Sequence, residues 1–137
     1  MVKTCSERGA AAVEFALVAP FLLALLLGIV EFGFAFNTQI SLTQAAREAA
    51  RTMAITNDPV STRDGLRTMT PLVNSKIDDA DIKIYSKSLS DPTAVSLTDA
   101  CKPGYQVTVS IEHAHRPVTG LVGPVKLLGT GAMRCGG

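Results

Sequence analysis

From Ala10 to Val30 the chain reads AAAVEFALVAPFLLALLLGIV, an unbroken apolar run with one charge, Glu14. About twenty such residues are what a helix needs to cross a hydrocarbon layer of roughly 30 Å. Pro20 and Gly28 lie inside the run, and membrane helices tolerate both. From Asn37 the sequence turns polar but keeps helix formers. Leu42, Ala45, Ala46, Ala49, Ala50 and Met53 recur at three-and-four spacing and form one apolar stripe. The pattern predicts one long helix over residues 10–55, ended by Asn57-Asp58-Pro59, because the residue before a proline avoids the helical region.

Beyond it the periods shorten. Ser61–Met69 predicts a second helix capped by Ser61 or Thr62, with Leu66, Met69, Leu72 and Val73 on one side. Gly65 and Pro71 weaken it, and it should end near Thr70. Asp81–Ser86 alternates apolar and polar, as a half-buried strand does. Tyr105–Glu112 alternates more cleanly, with Val107, Val109 and Ile111 on one face. A third strand is expected over Val125–Arg134, where Gly129 and Gly131 suggest a bulge. Ser88–Gly104 is rich in turn formers and reads as a loop, and no internal repeat is visible. The expected fold class is α+β: a long N-terminal helix, a short second helix and an antiparallel sheet of about three strands. The sheet should pack on the outer half of the long helix, where small alanines permit close approach.

A total of 137 residues allows one small domain plus an anchor. Mean hydropathy is +0.26, with the apolar content gathered near the N-terminus. A net charge of +1, without tryptophan and with 5% aromatic residues, gives no nucleic-acid footprint. Lys3 and Arg8 precede the span, which favours an N-terminus in the cytoplasm and a C-terminus outside, although Arg47 and Arg51 lie within reach of the other end. The expected topology is a single membrane crossing, with membrane lipid as one partner.

Glu14 sits one turn inside the apolar run, where an unpaired carboxylate is costly. Around it the residues carry a resemblance. Arg8-Gly9, then AAAVEF, then the apolar run resembles a prepilin signal of the type IV-related kind. The wider stretch RGAAAVEFALVAPFLLALLLGIVEFGFAFNTQISLTQAAREAAR is similar to the TadE-like proteins of the tight-adherence (Tad/Flp) pilus system. A weaker trace is Ala132-Met133-Arg134. The resemblance implies cleavage after Gly9 by a prepilin peptidase, which makes Ala10 the new N-terminus and Glu14 its fifth residue. It implies a minor pilin or pseudopilin acting in pilus assembly with other pilin subunits and the Tad secretion machinery. The expected divisions are a leader over 1–9, a membrane half-helix over 10–36 and an exported domain over 37–137.

The physics of the residues supports that reading. Cleavage would place an α-amine one turn from the Glu14 carboxylate, or offer that amine to a neighbouring subunit. The alternative is a carboxylate that reaches toward headgroup water. Glu31, at the outer end of the run, reads as an interface residue.

Other readings stand beside this one. Gly33-Phe34-Ala35 is a small-x-small triplet that a secretory peptidase could cut after Ala35, although the apolar run is longer than a usual signal core. An uncleaved anchored binding module is another, and an anchored enzyme a third.

Cys5 falls in the leader. Cys101 and Cys135 fall outside, where disulfides persist, and they read as one bridge; two free thiols or an intermolecular bond are the alternatives. No catalytic motif is found, so the chain is not expected to be an enzyme. His113 and His115 share one face at a strand end. They read as exposed loop histidines, because no further ligand completes a metal site. Asp78, Asp79 and Asp81 lack calcium-loop spacing and read as a solvated turn. No metal or cofactor is expected.

Overall fold

In the computed structural model, residues 5–69, 77–91, 93, 95–96, 100–120 and 123–136 are described. Helix α1 runs from Cys5 to Thr56, with Pro20 inside it. It therefore begins upstream of the expected start at residue 10. The chain divides into two compact units, Met1–Phe34 and Ala35–Gly137.

In the first unit α1 is apolar on all sides. Phe15, Phe21 and Phe32 are each more than 70% exposed. The helix has a window of 18 residues with mean hydropathy 2.5, none of it buried within the chain, and is long and apolar enough to cross a membrane. A helix that is hydrophobic all round needs an apolar environment beyond its own chain.

In the second unit the apolar stripe of α1 becomes a core. Leu42, Ala46, Ala50 and Met53 are fully buried, and Ala45 and Ala49 nearly so. They face an antiparallel sheet of four strands in the order β2-β1-β3-β4. These are β1 (Ile82–Ser88), β2 (Val95–Ser96), β3 (Tyr105–His115) and β4 (Val125–Arg134). The inner face carries Ile82 and Ile84 of β1 with Val107, Val109 and Ile111 of β3, all buried. The alternation anticipated on both strands thus sets the face that meets the helix. The short β2 lies in the segment expected to be loop, pairing Val95 with Lys87 and Ser96 with Ser86.

The glycines of β4 do not form a bulge. The register with β3 runs without interruption from Gln106–Arg134 to His115–Val125. Their role is close approach. A Cβ built on Gly129 would lie 2.5 Å from the Leu42 carbonyl carbon and oxygen, and one on Gly131 would overlap the Ala46 carbonyl. The strand backbone thus lies directly against the helix backbone, which only glycine permits.

Helix α2 spans Pro59–Met69, starting two residues before the expected Ser61. Its cap is neither Ser61 nor Thr62. The Asp58 carboxylate accepts from the Val60 amide at 2.9 Å, so Asp58 closes the N-terminus and Pro59 takes the first turn. Thr62 is instead buried, with its hydroxyl donating to Asp58 O at 2.7 Å. Leu66 is buried as expected, but Met69 is 46% exposed, and Leu72 and Val73 lie outside the described residues.

Candidate processing and assembly site

Gly9, Ala10 and Glu14 all lie within α1 and are all exposed. Ala10 and Glu14 are four residues apart, which puts them on one side of the helix a turn apart. A Cβ on Gly9 would meet nothing within 4 Å, so packing within the chain does not require glycine there. Glu14 is set among the exposed side chains of Val13, Phe15, Leu17 and Val18. Glu31, on the same apolar segment, is half-buried.

The second unit contributes a stapled frame. Cys101 and Cys135 are disulfide-bonded, with Cα atoms 5.4 Å apart and a sequence separation of 34. The bridge ties the strand-free segment before β3 to the end of β4. Cys135 N–H also donates to Tyr105 O at 2.8 Å, extending the β3–β4 ladder by one pair.

Asn57 holds the corner between the helices. It is the one non-glycine residue with positive φ among those described, at 51°, and its amide donates to Met53 O at 3.0 Å. This left-handed residue closes the helix end, a place where asparagine serves nearly as well as glycine. Its side chain then accepts from the Cys101 amide at 2.6 Å. One residue thus ends α1 and fastens the disulfide segment to it. The NDP signal marked the helix stop in sequence, but nothing local to it could reveal a partner 44 residues away.

Asp58 is exposed, and its carboxyl is held below its ordinary value near 3.8. The Val60 amide contributes most, followed by the Ser61 hydroxyl. Both favour the charged form.

The aspartates before β1 form more than a solvated turn. Asp79–Asp81 is a short 3-10 turn in which Asp81 accepts from the Asp78 amide at 3.2 Å. Asp79 accepts from Arg67 of α2 at 2.7 Å. That exposed ion pair links α2 to the start of the sheet, with a small energetic effect.

The histidines are not in a loop. Both belong to β3, and His113 is buried on the inner face while His115 is half-buried. Among the described residues, no three of His, Cys, Asp and Glu gather as a metal site would require.

The chain thus combines one N-terminal helix long and apolar enough to cross a membrane with a small disulfide-stapled α+β domain. Residues 9–51 match the model of the family described as TadE-like protein, so over this stretch the chain is similar to that family. No curated protein and no solved structure matches the chain.

Proposed function

We propose that the chain is a minor pilin or pseudopilin of a Tad-type pilus, matured by cleavage after Gly9 and assembled through its N-terminal helix. The observation that carries this reading is the position of Glu14. It lies four residues after Ala10 on an exposed apolar helix, inside the stretch similar to the TadE-like family. Cleavage after Gly9 would create an α-amine on the same side of the helix as Glu14. An amine–carboxylate pair, within one subunit or between two, offsets the cost of the carboxylate in an apolar setting. Gly9 has no packing reason to be glycine, which fits a requirement imposed by an enzyme. In this reading the leader stays in the cytoplasm, the domain lies outside the inner membrane, and the chain acts by helix packing rather than by catalysis.

The test is the mature N-terminus of the membrane-extracted protein by mass spectrometry, in cells with and without the prepilin peptidase. A start at Ala10 that requires the peptidase is expected, and an intact Met1 in both strains would overturn the proposal. A second reading is a secreted domain cut after Ala35. It is favoured by the division of the fold between Phe34 and Ala35, and a start at Phe36 would establish it.

A further inference from the structure

The sheet of the second unit has an outer face as well as an inner one. α1 meets the side that carries Ile82, Ile84, Val107, Val109 and Ile111. Alternate residues point the other way. On β1, β3 and β4 these keep some exposure, with Ser110 the exception. The register sets them in rows across the strands. Lys87, Gln106 and Arg134 form one row. Tyr85, Thr108 and Ala132 form the next, and Lys83, Ser110 and Thr130 the third.

This end of the face is positive. Lys87 and Arg134 are exposed, and among the described residues no acid forms an ion pair with either. Lys83 lies 3.5 Å from Glu112, an exposed pair of small effect. Asp91 and Lys102, in the turns at this end, offset each other, and the Thr93 amide and hydroxyl both donate to the Asp91 carboxylate. Lys87 and Arg134 stand two strand spacings apart, about 10 Å. The Gln106 amide lies between them and the half-buried Tyr85 ring beside Lys87's row. The backbone under this row is tied down where strand ends ordinarily fray. Cys135 follows Arg134, is bridged to Cys101, and donates to Tyr105 O at 2.8 Å beside Gln106. A frame fixed in advance loses less entropy when a ligand arrives.

The side chains select the ligand. Apart from Val95 at the β2 edge, these rows carry no large aliphatic group, so the face lacks the apolar anchors of a protein interface. One tyrosine cannot stack the successive bases of a nucleic-acid strand. Two spaced cations, with amide and hydroxyl groups between and one ring to lie against, match a chain of acidic sugars. Uncovered sheet faces serve oligosaccharides in other small β domains.

We propose that the outer face of the sheet, at the end bearing Lys87, Gln106 and Arg134, binds an acidic polysaccharide. Lys87 and Arg134 take carboxylates of the chain, the Gln106 amide bonds to hydroxyls between them, and Tyr85 underlies one sugar ring. The site lies wholly within the second unit and is independent of the pilin reading.

The experiment uses the full chain in nonionic detergent, with the native disulfide verified in every variant. Binding of alginate, a polyuronate, is measured at low salt beside neutral dextran and a DNA duplex. Alginate is expected to bind and dextran is not. Lys87→Gln with Arg134→Gln should weaken alginate binding at least about tenfold, as loss of two charge-assisted contacts predicts. Arg47→Gln with Arg51→Gln removes the same charge from exposed positions of α1 and should change it by less than about twofold. Tyr85→Ala should also weaken it, whereas Tyr85→Phe, which keeps the ring, should not. Absence of alginate binding would overturn the proposal. Equal losses in the two double variants would overturn it too, since they would mean attraction by net charge alone. Duplex DNA bound as tightly as alginate would replace the sugar ligand with any polyanion and overturn it as well.

Discussion

The Cys101 backbone amide donates to the Asn57 side-chain oxygen at 2.6 Å, joining the end of α1 to the disulfide segment. Two separate properties of Asn57 meet here, its tolerance of positive φ and its acceptor. Substitution can separate them. Asn57→Gly keeps the left-handed corner and loses the bond, at a cost of about 1 kcal/mol. Asn57→Ala loses the bond and adds a backbone penalty of about 1–2 kcal/mol. Chemical denaturation of the detergent-solubilised chain should therefore rank wild type above glycine above alanine. Equal losses in the two variants would mean that the corner conformation contributes nothing.

The packing of β4 on α1 gives a sharper steric prediction. Gly131→Ala drives a methyl into the Ala46 carbonyl, where only backbone atoms lie nearby. Overpacking of this kind costs about 1–3 kcal/mol. Gly129→Ala meets Leu42 in the same way. Thr130→Ala, exposed on the outer face, should be close to neutral. Protease resistance of the three variants checks this, and a stable Gly131→Ala protein would contradict the direct backbone contact.

Removing the bridge should weaken the domain strongly. A closed loop of 34 residues corresponds to about 3–4 kcal/mol on the chain-entropy account. Cys101→Ser, Cys135→Ser and the double variant should lose similar stability, since either change opens the same loop. A single variant as stable as the wild type would exclude a structural role for the bond.

Asp58 makes stability depend on pH in a defined direction. Its folded carboxyl titrates below 3.8, so its charge stabilises the fold above that value. The contribution is lost as pH falls through the lower, folded value. Asp58→Asn keeps a capping acceptor and removes the charge. The variant should be less stable than wild type near neutral pH and should converge with it in acid. A gap that stays constant down to strongly acidic pH would refute the charge contribution.

Much of the fold was legible because its periods are unmixed. The α1 stripe from Leu42 to Met53 has one spacing and no interruption, and the alternation in β3 marks Val107, Val109 and Ile111 as inward. The β4 bounds follow from where Gly123-Pro124 gives way to Val125 and from where Arg134 closes the run. Helix caps were less legible. Asp58-Pro59 carries both a stop and a start, and a stop signal for α1 hides the cap of α2 that shares its residues. The candidate processing site was visible because Gly9 and Glu14 belong to a local pattern, with no distant partner needed to define it.

By itself the sequence determined the long helix, the main strands and the inward faces of α1 and β3, since those depend on neighbours within a few residues, but not β2 or the exposed side of Met69. It also determined that the first apolar run is long and apolar enough to cross a membrane, since length and hydropathy are local sums. Only the tertiary structure decided what depends on residues far apart in the chain. It showed that Gly129 and Gly131 admit the Leu42 and Ala46 backbone rather than bend the strand. It placed Asn57 under Cys101, joined Arg67 to Asp79, and buried His113 under the sheet. A glycine or an asparagine permits several geometries, and the contact across the fold selects one of them.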